Sequence, residues 1–248
     1  MPLPHDPAWQ LAHFTLIADL TTLRAECRFV GEGQTVVARY DGLPFAALAY
    51  APMPPDRLAT LAAQLVRPDE PFYLLLNAEQ AAVAEQAFSV EEVQREWQML
   101  FQGDAEALTG GAAVPLRPAH LPHMLTLAAE AGLTAFENHP FRHGPAFGVW
   151  EGEHLIAMGG THLTIPGFAE IGNIATHPAH RRRGYARQVV GALVRAHLTA
   201  GRQVFLMVFQ TNTGAVKLYE SLGFIRQRPM FLMRCRLAIG GDKLYHSG

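Results

Sequence analysis

The spacing of apolar and polar positions predicts regular structure along most of the chain and divides it into two halves. In the first half, the pattern predicts helix, hairpin, helix, strand and helix in that order. These elements are a helix over 7–29, strands over 35–39 and 44–51 around the turn pair Asp41-Gly42, a helix over 56–66, a strand over 72–76, and a helix or broken pair of helices over 78–101. The glycines of 102–113 mark that segment as the linker between the halves.

After the linker, the pattern becomes strand, helix, and then several strands with helices between them. The predicted elements are strand 114–117, helix 120–131, the hairpin 146–150 and 155–164, strand 170–176, helix 184–200, strand 204–209, helix 212–222, and one or two final strands over 224–236. The strand over 204–209 is almost wholly apolar, which is typical of the centre of a sheet.

These patterns predict an α+β protein with two domains and a short tail. An α/β N-terminal domain is expected over 1–110. A second domain over 113–237 is expected to be built on a central twisted mixed sheet of about six or seven strands flanked by helices. The residues after it, 238–248, are expected to be frayed.

Composition narrows the class of protein. The chain has 248 residues, of which 49% are hydrophobic and 17% charged, so it has enough apolar side chains for a core and is not expected to be disordered. Its two cysteines, Cys27 and Cys235, are far apart, which argues against a disulfide framework or a cysteine zinc site. No apolar run approaches the length of a membrane span, and no leader pattern is visible, so a soluble cytoplasmic protein is expected.

Charge is distributed unevenly between the halves. Residues 1–110 carry a net charge of −9 and residues 111–248 a net charge of +7, although the whole chain is close to neutral. This asymmetry indicates either two modules that attract each other or a basic half that holds an anion. The chain as a whole is not basic enough to indicate nucleic acid, and neither a nucleic-acid nor a membrane partner is expected.

One segment has the features of an anion-binding site: Arg181-Arg182-Arg183-Gly184-Tyr185-Ala186, at the start of a predicted helix. The first N–H groups of a helix have no intrahelical acceptor, and the helix dipole adds partial positive charge. Small residues at Gly184 and Ala186 would let a pyrophosphate approach the backbone. The segment is neither a GxGxxG fingerprint nor a Walker loop. The alternative is a basic helix start on a solvated surface.

Two spaced patterns in this half resemble the cofactor motifs of the GCN5-related N-acetyltransferase (GNAT) superfamily. The first is Arg181-x-x-Gly184-x-Ala186, preceded by the strand end 174–178. The second matches Asn-x-x-Ala-x-x-Leu-Tyr-x-x-x-Gly-Phe at Asn212, Ala215, Leu218, Tyr219, Gly223 and Phe224. The resemblance covers roughly residues 113–236 and implies the acyl-CoA N-acyltransferase fold.

The resemblance also implies a role for each matched segment. The backbone of Ile174, Ala175 and Thr176 would pair with the pantetheine arm of acetyl-CoA like an added strand. Amides of Arg182, Arg183, Gly184, Tyr185 and Ala186 would hold the pyrophosphate. Asn212 would contact the pantetheine or cap its own helix. Tyr219 would protonate the departing thiolate, the alternative being a core aromatic residue.

An amine acceptor must lose a proton before it attacks a thioester, so a base is expected near the centre of the sheet. By the same resemblance, Glu170 is the leading candidate, because it follows Gly167-Phe168-Ala169 in a context that resembles the general-base strand of histone acetyltransferases. A solvated strand-end carboxylate is the alternative. His162 is the second candidate for the base. Asn173 is expected either to face the acceptor or to pair within the sheet.

Other segments carry weaker signals. The segment Phe136-Glu137-Asn138-His139-Pro140-Phe141-Arg142-His143 falls where relatives place an acceptor-binding loop, although an ordinary surface loop is equally consistent with it. No metal is expected, because Pro140 interrupts a helix between His139 and His143. The first half resembles a degenerate second copy of the acetyltransferase sheet, which would shape the acceptor site or form an oligomer contact. A homodimer is left open.

Together, these observations predict an N-acetyltransferase that moves the acetyl group of acetyl-CoA directly to a small-molecule or peptide amine in a ternary complex. Neither cysteine lies within the motifs, which disfavours a covalent cysteine intermediate. Two alternatives remain: a non-catalytic acyl-CoA-binding regulatory module, and an N-acyltransferase that uses a longer acyl-CoA. The sequence does not identify the amine.

Overall fold

A computed structural model of the protein describes residues 4, 6–133, 136 and 140–238. The chain forms two compact units, one from Met1–Glu96 and Arg228–Gly248 and the other from Trp97–Gln227. Two long strands, Phe88–Phe101 and Phe224–Leu237, each contribute residues to both units. The linker predicted from the sequence, 102–113, lies within the second of these units.

The described part of the first unit contains four short α-helices and a mixed sheet. Its strand order is β1-β2-β3-β4-β11, in which β3 and β4 are parallel and the other neighbours antiparallel. Its elements are α1 (Pro7–Ala12), α2 (Phe14–Leu20), β1 (Cys27–Glu32), β2 (Thr35–Tyr40), β3 (Ala46–Tyr50), α3 (Pro55–Ala62), β4 (Phe72–Leu76), α4 (Ala78–Ala87), and parts of β5 (Phe88–Phe101) and β11 (Phe224–Leu237).

Two predictions for this unit were wrong. The helix expected over 7–29 is interrupted at His13 and ends at Leu20, and residues 27–32 form a strand that pairs with β2. The helix expected over 78–101 ends at Ala87, after which β5 begins. Phe88 packs edge-on against Phe72 of β4, with ring centroids 4.9 Å apart. Pairing with the adjacent strand β2 in the first case, and packing against β4 in the second, override the local helical pattern.

The second unit contains the rest of the chain. Its strand order is β5-β10-β9-β8-β7-β6, and β9 and β10 are parallel. Its elements are β6 (Val114–Pro115), α5 (Leu121–Ala131), β7 (Ala146–Glu151), β8 (His154–Ile165), β9 (Phe168–Thr176), α6 (Tyr185–Thr199), β10 (Gln203–Phe209) and α7 (Thr213–Ser221). The predicted elements of this half are therefore present, with small shifts at their ends.

Helices cover both faces of this sheet. Leu155 packs in the apolar cluster of α5, whereas the next residue, Ile156, packs in that of α6. Successive strand side chains point to opposite faces, so α5 and α6 lie on opposite sides of the sheet. Gly132, with φ 78°, ends α5 in the left-handed conformation that glycine adopts without strain. The predicted mixed sheet flanked by helices is confirmed.

The central feature of this sheet is a notch between β9 and β10. These two strands pair over three positions, from Gln203 opposite Phe168 to Phe205 opposite Glu170. Beyond Glu170, β9 continues to Thr176 and β10 continues to Phe209 without pairing to each other. Among the described residues, the edge of β9 that faces β10 therefore has no strand partner over Ile174–Thr176.

Candidate functional site

A bulge shapes the unpaired part of β9. Gly160 of β8 lies opposite Gly172, but Met158 lies opposite Ala175, so β9 contains one extra residue between these pairs. Asn173 takes up the extra length with φ 54°, a left-handed conformation that asparagine tolerates better than most residues. Bulges redirect the backbone and are common beside active sites. The bulge thus lies directly before the three residues whose backbone was expected to bind pantetheine.

The segment after β9 forms the expected turn into α6. Gly184 is the N-cap of α6 with φ 81°, and Arg182 also has a positive φ of 66°. A Cβ atom built on Gly184 would meet no described atom within 4 Å, so the space above this backbone is open. The first N–H groups of the 15-residue helix that starts here lack intrahelical acceptors. The geometry suits a phosphate-bearing ligand.

The three arginines of this segment do not have equivalent positions. The Nε of Arg181 donates a hydrogen bond to the carbonyl oxygen of Thr176 at 3.2 Å and so ties the turn to the end of β9. Arg182 and Arg183 are exposed. Arg181 is exposed as well and only its Nε is used in this bond, so all three arginines can attract an anion from solvent, and Arg181 also holds the turn in shape.

The second predicted motif lies on α7. The side chain of Asn212 accepts a hydrogen bond from the backbone N–H of Ala215 at 3.2 Å, so Asn212 caps its own helix. Tyr219 is buried, and its ring packs edge-on against Phe224 with centroids 5.9 Å apart. Burial raises the pKa of Tyr219 to about 12, so its hydroxyl group stays protonated at neutral pH. The helix cap that the sequence left as an alternative for Asn212 is therefore present, and so is the core contact that it left as an alternative for Tyr219.

Glu170 lies at the apex of the notch, at the last paired position of β9 and β10. Its side chain is 5% exposed, and its Oε1 lies 3.3 Å from Nδ1 of His162. Its Oε2 is buried and has no hydrogen-bond partner within the described part of the chain. This carboxyl group is therefore not the solvated strand-end residue that the sequence left as an alternative.

His162 reaches Glu170 because β8 has a bulge of its own. Thr161 lies opposite Ile171 and Leu163 lies opposite Glu170, so His162 is the extra residue between these pairs. Its side chain remains 44% exposed while Nδ1 approaches the carboxylate. The two candidates for the base are thus adjacent, one buried and one accessible.

A second histidine belongs to the same group. Burial, together with the charges of Arg142 and His162, lowers the pKa of His143 to about 4, while the charge of Glu170 opposes the shift. His143 is therefore uncharged at neutral pH. Part of the predicted acceptor loop thus lies near Glu170. Three other members of that loop, Glu137, Asn138 and His139, lie outside the described residues, as does the tail from 239 onward.

One buried interaction near this group was not predicted from the sequence. Nε2 of His197 on α6 lies 2.8 Å from Oγ1 of Thr161, which itself donates to the carbonyl oxygen of Pro145 at 2.9 Å. The hydroxyl proton is used in the second bond, so Nε2 of His197 is the donor in the first. Burial lowers the pKa of His197 to about 4. The helical position of His197 predicts that it faces the core but not that it has a partner.

A hollow of about 200 Å³ lies on the α5 side, next to the turn that precedes Arg181. Two histidine–carboxylate contacts border it: Nε2 of His177 lies 3.7 Å from Oε2 of Glu130, and Nε2 of His180 lies 3.6 Å from Oε2 of Glu151. Despite these side chains, no group of three or more histidine, cysteine, aspartate or glutamate residues in the described ranges is arranged to hold a metal ion.

The chain is similar to known proteins in sequence over part of its length and in structure over nearly all of it. Residues 146–232 match the family model described as FR47-like protein. The structure is similar to a GNAT-family protein from Novosphingobium aromaticivorans, with 22% identity, a TM-score of 0.73, and coverage of 94% of this chain and 100% of that one. No curated protein matches the chain in sequence.

Two further structures extend this similarity across both halves. A GCN5-related N-acetyltransferase from Kribbella flavida is 15% identical, with a TM-score of 0.63 over 92% of this chain and 96% of that one. A tandem GNAT protein from the clavulanic acid biosynthesis pathway is 14% identical, with a TM-score of 0.63 over 95% of each chain. The predicted GNAT fold is therefore confirmed, and the resemblance of the C-terminal half to that superfamily is confirmed by the FR47-like match. Separately, no helix in the described ranges is long and apolar enough to cross a membrane.

Proposed function

From a chain with the GNAT fold and an FR47-like domain, we propose an N-acetyltransferase that transfers the acetyl group of acetyl-CoA directly to an amine. The observation that carries this proposal is the notch between β9 and β10, whose unpaired edge at Ile174–Thr176 leads to the open helix start at Gly184. An extended arm can pair with such an edge while its phosphates meet the helix N-terminus. The two features are joined by the Arg181–Thr176 hydrogen bond.

In this proposal, the backbone of Ile174, Ala175 and Thr176 holds the pantetheine arm. The amides at the start of α6, from Arg182 to Ala186, hold the pyrophosphate, and Arg182 and Arg183 attract it. Asn212 supports the site by capping α7, which carries Tyr219. Acetyl-CoA supplies an acyl group that is already activated as a thioester, and no metal is needed for the transfer.

The chemical step needs one proton removed and one supplied. The lone pair of the amine attacks the thioester carbonyl carbon, a tetrahedral intermediate forms, and the carbon–sulfur bond then breaks. The proton lost by the amine passes to the base at the apex of the notch, formed by Glu170 and His162. Tyr219, which is protonated at neutral pH, donates its proton to the departing sulfur and regains one from solvent. Positioning of amine and thioester supplies the rest of the rate enhancement.

Release of CoA thiol in the presence of acetyl-CoA and a panel of amines (spermidine, free lysine and a peptide with a free N-terminus) tests this proposal. With the most active amine, Tyr219→Phe is expected to lower kcat by about 10²-fold and leave acetyl-CoA affinity unchanged, because the ring still packs against Phe224. Tyr73→Phe, in the first unit, is the matched control and is expected to leave turnover unchanged. Equal activity of Tyr219→Phe and the wild type would exclude the acid role.

Two alternatives have separate outcomes in the same experiments. A regulatory module would bind acetyl-CoA but release no thiol with any amine of the panel. An N-acyltransferase for a longer chain would prefer the longer substrate when acyl-CoA esters of different length compete. Direct acetyl transfer predicts thiol release that depends on the amine and a preference for the acetyl thioester.

A further inference from the structure

We propose that His162, rather than Glu170, takes the proton of the acceptor amine, and that Glu170 acts through His162 as a positioning residue. This proposal rests on the proposed acetyl transfer and assigns the base within it. The two residues form a carboxylate–imidazole pair at the apex of the notch, with Oε1 of Glu170 3.3 Å from Nδ1 of His162. Each belongs to a different strand, and the bulge in β8 is what brings them together.

Accessibility separates the two roles. The side chain of Glu170 is 5% exposed and its Oε2 is buried, whereas the side chain of His162 is 44% exposed. A base must come within hydrogen-bond reach of the proton that it removes, directly or through one water. An amine that arrives from solvent can reach the imidazole without any rearrangement of the sheet, but it cannot reach the buried carboxylate in the same way.

The position of the carboxylate also selects which ring nitrogen is basic. A carboxylate beside Nδ1 favours the tautomer that carries its proton on Nδ1, and Nε2 is then left with the lone pair that accepts a proton. When Nε2 becomes protonated, the adjacent negative charge stabilises the imidazolium and raises the basicity of the ring. Enzymes with a catalytic triad use a carboxylate in the same way, to orient the histidine that acts as the base.

The other charged groups near the pair do not cancel this effect. On the loop before β7, His143 has a pKa of about 4 and is uncharged at neutral pH, so it does not repel an imidazolium at His162. Arg142, on the same loop, carries a positive charge that opposes protonation of His143. Glu170, on β9, is in closest contact and has the opposite sign. The proton taken by Nε2 is returned to solvent through the exposed side of the ring after each transfer.

Kinetics of His162→Gln and Glu170→Gln test this assignment. Thiol release with the most active amine of the panel is followed from pH 5 to 9. In the wild type, kcat/KM is expected to rise with pH through the imidazole range. His162→Gln is expected to lose about 10²-fold or more in kcat and to lose this acidic limb. Glu170→Gln is expected to keep partial activity, and its kcat/KM is expected to rise with pH over a lower range than in the wild type, because the imidazole remains but its carboxylate does not. His154→Gln, an exposed histidine on the same strand, is the control and is expected to behave like the wild type.

The opposite pattern would overturn the proposal. If Glu170→Gln is inactive while His162→Gln keeps its rate and its acidic limb, then Glu170 is itself the base. NMR titration of the histidine rings in the free protein gives a second measurement that does not need turnover. The proposal predicts an Nδ1–H tautomer at His162 and a lower His162 pKa in Glu170→Gln, and an unchanged pKa would contradict it. If the His162 pKa changes as expected but the wild type acetylates no amine, the interaction between Glu170 and His162 is supported and the acetyl-transfer function is contradicted. The role of His162 as the base is then contradicted as well.

Discussion

The buried side chain of His197, close to the candidate site, makes the free energy of unfolding depend on pH. It lies on the apolar face of α6, donates to Thr161 of β8 and has its pKa lowered to about 4 by burial. The unfolded chain, with a histidine pKa of about 6.5, therefore binds this proton more readily than the folded protein does. Stability from the neutral ring is full above pH 6.5 and is lost as the pH falls toward 4.

The variant His197→Gln tests this reasoning, because glutamine can still donate to Thr161 but does not titrate. Between pH 7.5 and pH 5, the wild type should lose about 2 kcal/mol more unfolding free energy than His197→Gln does. The comparison must be between variants, because burial raises the pKa of Asp19 to about 7 and so gives the opposite trend in the first unit. Urea unfolding at the two pH values measures the difference. Equal losses in the two proteins would contradict it.

Residue-scale chemistry was only partly visible in the sequence. The turn at Gly184 and the cap at Asn212 follow from local preferences, so the motif predicted where each lies. The contact between Glu170 and His162 could not be predicted in the same way, because it depends on which residues of β8 and β9 face each other. Sequence reasoning named both residues as separate candidates for the base but gave no sign that they form a pair.

At the scale of elements, the geometry of β9 decides where a ligand can bind. A continuous parallel ladder with β10 would close the notch, and its absence beyond Glu170 is what leaves an edge for an extended ligand. The bulge at Asn173 redirects the backbone just before that edge. The proposed function thus depends on the bulge in β9, and the backbone conformation of that bulge can be changed by substitution.

Asn173→Val tests the importance of this bulge. A β-branched residue strongly disfavours the left-handed conformation at φ 54°, so the variant is expected to shift the bulge and weaken acetyl-CoA binding by about tenfold. Asn173→Gly, which adopts that conformation without strain, is the matched control and should bind like the wild type. Isothermal titration with acetyl-CoA measures both. If the valine variant binds as tightly as the glycine variant, the bulge does not shape the site.

Elements were predicted well where local pattern and tertiary structure agree. Strand 72–76 was found at its observed bounds, and the helices now observed as Tyr185–Thr199 and Thr213–Ser221 were found within a residue or two. The failures at 27–32 and 88–101 both involve spacings compatible with a helix, but the first segment forms a hairpin with the adjacent strand 35–40 and the second joins the sheet beside β10. Register and bulges are non-local, which is why the notch itself was not foreseen.

At the scale of the whole molecule, the charge asymmetry of the sequence has more than one origin. Arg234 and Arg236, which contribute to the positive half, belong to the first unit and pair there with Glu91. Arg187 donates to Ser221 within the second unit. The excess positive charge is therefore not all available to an anion, whereas Arg181, Arg182 and Arg183 before α6 are exposed to solvent.

The FR47-like match, the notch and the open helix start all lie in the second unit, apart from the last five residues of the match. The first unit shares the mixed-sheet architecture but has no glycine-started helix equivalent to α6 among its described elements. We therefore expect one acetyl-CoA molecule to bind per chain, with the phosphates held at Gly184.

Isothermal titration of the full chain with acetyl-CoA tests this central claim most directly. A single site per chain is expected, and it should be lost in Gly184→Trp, because the indole would fill the open space above the helix start. Gly201→Trp is the matched control: its glycine has a similar φ of 72° and equally open surroundings but follows the other end of α6, so binding should be retained. A folded wild type that does not bind acetyl-CoA, or undiminished binding in Gly184→Trp, would contradict the proposed site.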